Sequence, residues 1–253
     1  MQLLLACAKI IKETTAKLHV APTQAAFQKE AERFAAEMAG RTVAALAKDL
    51  KCKHQISAQT KQRFDAFFDE TKEMPAGLAY FGQAYKYLKA ETFTAADFDF
   101  AATHLWHTSF LYGLLRPTDL IHPYRMEGKV RTEAAGGETM FAFWKDLLTP
   151  LLIESVKADD GILVHLATEE MEHLFHWKEV KAAVRIIQPQ FLVRKGEALK
   201  TVTVYAKSCR GAMARHLIKQ QAAAPETLLS FEEEAFLYNP TLSTPDQPLF
   251  ILE

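Results

Sequence analysis

Runs of apolar residues along the chain predict the strands of a mixed sheet. Gln2–Cys7 and 161–167 (GILVHLA) are almost continuously apolar, which is typical of strands buried on both faces. The stretches 184–193 and 199–207 alternate apolar and polar residues around a turn at 195–197, and they predict a β-hairpin. Further strands are predicted at Trp106–Leu111 and, as an edge strand, at the C-terminal PLFILE.

Apolar residues that recur every three or four positions predict the helices. The first, at 23–38, carries Phe27, Phe34 and Met38 on one face and ends at Gly40, a frequent helix terminator. A loop is predicted before it, at Thr14–Thr23. Further helices are predicted at 41–50, 58–70 with Ser57 as its cap, Ala95–His104 with a Thr94–Asp97 capping pair, 138–157 with a break or kink at Pro150, 168–175 and 209–221.

Strands and helices interleave along the whole chain, which predicts an α/β fold of mixed α+β type: a mixed β-sheet flanked by helices. The 253 residues are 49% hydrophobic and 24% charged, so the chain can bury a sizeable core. No stretch rich in proline, glycine or serine resembles a linker. Residues 1–253 are therefore expected to form one compact domain.

Charge and targeting signals narrow the function classes. The net charge is -1, so a nucleic-acid binder would have to gather its cations on one face. The N-terminal Leu-Leu-Ala-Cys imitates a lipoprotein cleavage box, but no positive residues precede it and the apolar run is too short for a signal peptide. No apolar stretch approaches the roughly 20 residues that span a bilayer. Cys7, Cys52 and Cys209 are widely spaced, which favours a reducing compartment, and we expect a cytoplasmic protein.

Two arginines in the middle of the chain stand beside prolines in otherwise core-like sequence. Proline restricts the backbone around Arg116 and Arg125, and a planar guanidinium suits a phosphate or a carboxylate. This arrangement predicts an anion site. The alternative is an internal ion-pair network in which these arginines bind Asp119 or Glu127.

A second basic cluster follows the second strand of the hairpin. The strand is expected to end at Tyr205 and a helix to begin near Ser208, which places Lys207, Arg210 and Arg215 at the junction. Backbone N–H groups at a helix N-terminus favour an anion, and basic side chains add to that attraction. The segment lacks the P-loop pattern, and the alternative is a solvated basic helix face.

In a mixed α/β sheet the ends of neighbouring strands gather into one crevice, so these clusters together predict a basic cleft. Tyr112 and Tyr124 could stack on a base there or donate a hydroxyl. The candidate cleft residues are Lys9, Tyr112, Arg116, Tyr124, Arg125, Lys207, Arg210 and Arg215.

Metal and redox chemistry have weaker support. The pairs His104/His107 and His173/His176 have helical spacing, but the sequence indicates no third ligand for either pair. No metal site and no cofactor is therefore predicted. Cys209, beside a predicted helix start, would have a lowered pKa if it were exposed, which keeps a redox-sensitive thiol open.

The stretches ETFTAADFDFA, LYGLLRPTDLIHPYRMEGKVR and YAKSCRGAMARHLIK resemble the YaaA family of bacterial peroxide-stress proteins, nearly end to end. That resemblance implies a cytoplasmic, compact single-domain α/β protein, linked to lowering harmful iron and limiting DNA damage under peroxide. It also implies binding of duplex or branched DNA through a basic cleft and a helix-hairpin-helix-like element. The matching positions are Lys9, Gly82, Tyr85, Tyr112, Gly113, Arg116, Pro117, Asp119, Pro123, Tyr124, Arg125, Glu127, Glu170, Tyr205, Lys207, Arg210, Gly211 and Arg215.

The helix-hairpin-helix-like element is expected at about 41–70, although it lacks the usual Gly-x-Gly of such turns. Its cations available for phosphates are Lys48, Lys51, Lys53, Lys61 and Arg63. Elsewhere the chain departs from the family pattern, with Ala6-Cys7 for Ser-Pro, Gln83 for an Asp, Met171 for a Tyr, and Glu232 within a changed C-terminal stretch. If the family hides a catalytic activity, these departures imply that this member has lost or altered it.

Three functions follow, in order of preference. The first is a sequence-independent DNA-binding protein of the peroxide or oxidative stress response, which grips phosphates through the basic cleft and limits iron-dependent DNA damage. The second is an enzyme acting on a nucleotide or other phosphorylated small molecule in the same cleft. The third is an iron- or redox-handling protein that uses Cys209 and the histidines.

Overall fold

The computed structural model describes residues 1–12 and 18–253, so the predicted loop at Thr14–Thr23 lies partly outside the described residues. The strands are β1 Gln2–Leu5, β2 Thr23–Gln24, β3 Met74–Pro75, β4 Leu105–Ser109, β5 Gly113–Leu115, β6 Asp119–Ile121, β7 Ile162–Leu166, β8 Arg185–Ile187, β9 Gln190–Lys195, β10 Ala198–Lys200, β11 Leu237–Tyr238 and β12 Leu249–Leu252. The helices are α1 Gln28–Ala39, α2 Val43–Asp49, α3 His54–Asp65, α4 Ala76–Ala79, α5 Gln83–Leu88, α6 Ala95–His104, α7 Met140–Ala158, α8 Glu169–Glu172, α9 Trp177–Ala183 and α10 Thr203–Lys219. The mixed α/β fold in one compact domain is confirmed.

The central sheet has the order β5-β4-β1-β7-β8. Strands β4, β1, β7 and β8 run parallel, and β5 is antiparallel at one edge. Leu3 in β1 stands between Leu105 of β4 and Val164 of β7, and all three side chains are buried. Helices cover both faces of a sheet of this kind, which explains why its strands are apolar without alternation. The predictions for β1 and β7 are confirmed.

Two smaller sheets extend the central one. A four-stranded sheet has the order β10-β9-β12-β11, and a three-stranded sheet has the order β2-β6-β3. The predicted hairpin is present as the antiparallel pair β9 and β10. The prediction of an edge strand at the C-terminus is wrong, because β12 lies inside its sheet, parallel to β9 and antiparallel to β11.

The junction predicted at 205–209 lies elsewhere. The hairpin ends at Lys200 and α10 already begins at Thr203, so Lys207 and Arg210 lie more than one turn inside the helix rather than at its start. Three β-branched residues, Val202, Thr203 and Val204, favour a strand there, but packing decides otherwise. The buried face of the helix continues from Ala206 onward, and it packs against α5.

Helix ends follow the sequence in some places and not in others. The capping box of Thr94 and Asp97 is present at α6. Helix α3, however, begins one turn earlier than predicted, with Lys53 at its cap position, and Ser57 lies buried inside it, donating a hydrogen bond to the His54 carbonyl. Helix α7 runs without a break through Pro150, which lies on the exposed face. Water can replace the missing backbone hydrogen bond on that face.

Close approach of two helices sets the geometry of one end of the sheet. Helix α10 crosses α5 at Gly211, where the backbone of α5 leaves no room for a side chain: an added Cβ would lie 1.8 Å from the Ala84 carbonyl oxygen. Both helices pack beside the carboxyl end of β1, so they form the walls of the space described next.

Candidate functional site

A cavity of about 300 Å³ lies at the carboxyl ends of β1 and β7. Strand β1 lies between β4 and β7. The strands of this sheet that follow it along the chain lie first on one side of it, as β4 and β5, and then on the other side, as β7 and β8, so the strand order reverses at this point. Open α/β sheets bind ligands at such a switch point. The position of the cavity therefore marks it as the first candidate for a functional site.

Four charged side chains line this cavity, and most of its remaining wall is apolar. Its lining includes Lys9, Glu170, Lys207 and Arg210. The larger apolar side chains of the wall are Leu5, Ile10, Phe81, Phe110, Leu166 and Met171. An apolar pocket with a few convergent polar groups is the usual form of a small-molecule site.

Arg210 is the most informative of the charged residues. Its side chain is half-buried in the wall of the cavity, and its guanidinium makes no hydrogen bond or ion pair with any residue that the structure describes. Burial lowers the pKa of Arg210 below its ordinary value, and the Glu169 carboxylate only partly opposes that effect. A partly desolvated cation without a bonded counterion is unfavourable, and an anion bound in the cavity would relieve the cost.

Lys207 lies three residues before Arg210 on α10 and therefore on the same face of that helix. It is exposed, and it too has no bonded partner in the described chain. The two cations line both the cavity and the groove beside it. The structure thus brings together two of the predicted cations, although inside a helix rather than at its start.

Lys9 and Arg125 meet at the other side of the cavity. Lys9 Nζ lies 2.7 Å from Glu127 Oε2, and Arg125 Nη2 lies 2.9 Å from Glu127 Oε1, so one carboxylate holds both cations. Lys9 lines the cavity, whereas Arg125 lines a small void beneath it. The predicted pairing of Arg125 with Glu127 is present, and it leaves the Arg125 Nε buried without a described partner.

Arg116 lies at the opposite end of the central sheet. Its guanidinium donates to Gln2 Oε1, to the Leu105 carbonyl and to Ser155 Oγ, and it stacks on Trp106 at 3.4 Å. Gln2 and Leu105 begin β1 and β4, which places Arg116 at the amino ends of the strands. Its expected position in the cleft is therefore wrong, and the residue ties the sheet to α7.

Arg215 points away from the cavity. Its Nη1 donates to the Leu88 and Lys89 carbonyls and to Thr92 Oγ1 at the end of α5. Those bonds hold α10 to the chain that follows α5. The expectation of a single cleft containing Lys9, Arg116, Arg125, Lys207, Arg210 and Arg215 is wrong for the two arginines 116 and 215.

The two candidate tyrosines are buried rather than available to a ligand. The Tyr112 hydroxyl accepts a hydrogen bond from the His122 backbone N–H, and its side chain is fully enclosed. The Tyr124 hydroxyl lies 2.7 Å from both Tyr80 Oη and Ser109 Oγ. Burial raises the pKa of both tyrosines, so they remain neutral. Neither can stack on a base in the cavity.

The pair α2 and α3 occupies the region of the expected hairpin-like element, joined by a short turn at 50–53. Lys51 and Lys53 are exposed at this turn. Lys61 pairs with Asp65, and Arg63 donates to the Ile11 carbonyl, so these two cations have partners within the protein. A groove beside α3 is lined by Lys9, Lys12, Arg63 and Arg125.

The histidine and cysteine candidates do not assemble into a metal site in the described chain, where no cluster of three suitable ligands occurs. His107 is buried against Tyr85, and its pKa is lowered to about 3 by burial and by Arg116. His176 instead pairs with Asp146. Cys209 is fully buried, so the exposure on which a lowered pKa and a redox-sensitive thiol depended is not present.

Thiol reactivity gives a first testable prediction. Burial raises the pKa of both Cys7 and Cys209 from 9.0 to about 12, which lowers their thiolate population at pH 7.5 roughly a thousandfold. We expect one thiol, Cys52, to react rapidly with a disulfide reagent in the folded protein and all three to react in urea. Two rapid thiols in the folded state would contradict this.

The same pKa shifts predict how stability depends on pH. Since the pKa values of Cys7 and Cys209 are higher in the folded than in the unfolded protein, the free energy of unfolding should fall as the pH rises from about 9 towards 12.

Most of the departures from the family pattern noted in the sequence lie together at this cavity. Ala6, Cys7, Gln83 and Met171 all line it, although they lie far apart along the chain. Matching positions Lys9, Gly82, Tyr85, Glu170, Lys207 and Arg210 line the same space. Sequence reasoning missed Phe81 and Thr168 as wall residues. The available signal was the position of Phe81 beside Gly82 and the position of Thr168 directly after the predicted strand 161–167.

This fold and site define a single-domain mixed α/β protein with a cation-lined cavity at the switch point of its central sheet. Residues 1–242 match the family described as "Peroxide stress protein YaaA". The chain is 41% identical over 251 residues to a UPF0246 protein of Bacteroides fragilis, covering 99% of this chain and 98% of that one. It is 39% identical over 254 residues to a UPF0246 protein of Parabacteroides distasonis, covering 100% of both. The chain belongs to the YaaA family of peroxide stress proteins.

None of the helices in the described ranges has the length and apolar character that a bilayer crossing requires.

Proposed function

We propose that this peroxide stress protein binds a phosphorylated small molecule of nucleotide size in the cavity at the carboxyl ends of β1 and β7. The observation that carries the proposal is Arg210, a half-buried guanidinium that faces the cavity without a bonded partner in the described chain. Phosphate suits it because a guanidinium fork binds two phosphate oxygens at once.

The shape of the site favours a small ligand over a duplex. A cavity of about 300 Å³ lies within the range of small-molecule pockets, but the backbone of a duplex cannot enter it. Arg116 and Arg215 are bonded within the protein, so these two arginines add no positive charge around the cavity. We therefore favour the ligand class of the rival function considered from the sequence, which was an enzyme acting on a nucleotide or other phosphorylated small molecule.

Glu170 and Lys9 supply the groups that an activity would need. Glu170 is exposed at the wall of the cavity and could accept or return a proton, and Lys9 could neutralise developing negative charge. The Lys9 ammonium is held by Glu127, which fixes its position at the opening. This arrangement can serve proton transfer beside a bound phosphate.

DNA binding is the second candidate, and one observation favours it. Lys51 and Lys53 are exposed at the turn between α2 and α3 and have no bonded partner in the described part of the chain. Lysines at such a turn can contact phosphates without reading sequence. A role in limiting iron-dependent DNA damage would rest on this surface, and it is compatible with a separate small-molecule cavity.

Thermal unfolding with added ligands tests the proposal. We expect sub-millimolar ADP or pyrophosphate to raise the unfolding midpoint, because a ligand that binds the native state stabilises it. The shift should disappear in Arg210→Met and persist in Lys51→Gln/Lys53→Gln. A duplex of 20 base pairs is the comparison, and its effect should fall steeply with salt. Stabilisation by duplex without any by ADP or pyrophosphate would overturn the proposal in favour of DNA binding.

A further inference from the structure

A polar groove of about 700 Å³ continues from the cavity, between the end of β7 and the four-stranded sheet. The two spaces share Thr168, Glu170, Lys207 and Arg210. Lys207 and Arg210, which have no bonded partner among the described residues, therefore lie at the boundary between two compartments. An anionic group held by them would have room for a substituent on each side.

The two compartments differ in chemistry. The cavity wall is mainly apolar, with the Phe81 and Phe110 rings among its members. Besides Thr168, Lys207, Arg210 and the apolar Leu192, Ala206 and Leu249, the groove is lined by uncharged hydrogen-bonding side chains and by two carboxylates. These are Gln188, Gln190, Gln247, Thr201, Thr203, Glu169 and Glu170. A flat, weakly polar ring suits the first compartment, and a neutral group with several hydroxyls suits the second.

The carboxylates decide which polar group the groove accepts. Glu169 and Glu170 would repel any phosphate beyond those that Lys207 and Arg210 bind, but they would accept hydrogen bonds from sugar hydroxyls, as acidic residues do with ribose in dinucleotide sites. The Gln188 and Gln247 side-chain amides have no bonded partner among the described residues, so they are available to the same hydroxyls. The groove thus selects for a sugar rather than for another anion.

We propose, building on the phosphate-binding function above, that the ligand is a nucleoside diphosphate ester. Its base and first ribose lie in the cavity, its diphosphate contacts Lys207 and Arg210, and its second sugar lies in the groove. The order along the site is apolar, anionic, then polar and neutral. A mononucleotide ends at its phosphates and leaves the groove empty, whereas a diphosphate ester fills all three parts.

Calorimetric titration of the whole chain with paired ligands tests this inference. The pairs are ADP with ADP-ribose and UDP with UDP-glucose, and pyrophosphate is the probe for the cations alone. In at least one pair we expect the sugar ester to bind at least about tenfold more tightly, because it adds hydrogen bonds in the groove. Gln188→Ala/Gln247→Ala should remove most of that difference and change the affinity for the plain diphosphate less than about twofold. Gln62→Ala, an exposed glutamine on α3, is the matched control.

The outcomes separate this inference from the function on which it rests. If the diphosphates bind in an Arg210-dependent way but the sugar esters bind no more tightly, the groove has no role and only this inference fails. The same holds if pyrophosphate binds and no nucleotide does. If the sugar ester binds more tightly and the double glutamine variant keeps the whole difference, the groove assignment is wrong. If none of the five ligands binds, the proposed function fails as well.

Discussion

Replacing Gly211 by alanine is expected to destabilise the protein by at least about 3 kcal/mol and to lower its unfolding midpoint by at least about 6 °C. The added Cβ would lie 1.8 Å from the Ala84 carbonyl oxygen and 2.6 Å from its carbonyl carbon. Both atoms belong to the backbone of α5, so no side-chain rotation can relieve the overlap. The two helices would have to separate. Because α5 and α10 form the walls of the cavity, the affinity for ADP or pyrophosphate should fall together with stability.

Two controls make this result specific. Gly40→Ala adds a Cβ whose nearest neighbours are carbonyl oxygens at 3.3 and 3.9 Å, in a residue with an ordinary helical φ of -71°, and should change stability by less than about 1 kcal/mol. Ala84→Gly in the Gly211→Ala background removes only a side chain and should not restore stability, since the overlap is with backbone. Urea unfolding measures all three variants. A Gly211→Ala protein as stable as the parent would show that α5 and α10 do not cross this closely.

The elements that could be predicted from the sequence are those whose signal is local. Strands β1 and β7 are short apolar runs, and the capping box at Thr94 lies within four residues. The start of α10 could not be predicted in this way. Val202 and Val204 favour an extended chain locally, and the helix is instead stabilised by packing against α5, a contact between segments more than a hundred residues apart.

The candidate site shows the same limit more sharply. Arg116 and Arg125 are nine residues apart in one motif and share the same local chemistry, yet they lie at opposite ends of the central sheet. The chain between them crosses through β6, which belongs to a different sheet. Only topology separates the arginine that stacks on Trp106 from the one that pairs with Glu127 beside the cavity. The sequence indicated correctly that cations line the site, but it could not show which of the cations lie together there.

Replacing Arg210 by methionine is expected to leave the unfolding midpoint unchanged or to raise it, while the affinity for ADP or pyrophosphate falls at least about tenfold. Burial lowers the pKa of Arg210, which shows that its positive charge is unfavourable where it lies. Methionine fills a similar volume without that charge. A residue that served only the fold would show the opposite combination. Stability would fall and binding would be retained.

Arg215→Met on the same helix is the matched control for that experiment. Arg215 donates three hydrogen bonds to Leu88, Lys89 and Thr92, so its loss should lower the midpoint and leave the affinity for the diphosphate within about twofold. Thermal unfolding and titration calorimetry on both variants measure the two quantities separately. The assignment of Arg210 to the ligand would be overturned by a lower midpoint with unchanged affinity in Arg210→Met. Comparing the unfolding midpoint and the diphosphate affinity of the Arg210 and Arg215 variants therefore decides whether the Arg210 guanidinium stabilises the fold or binds an anion.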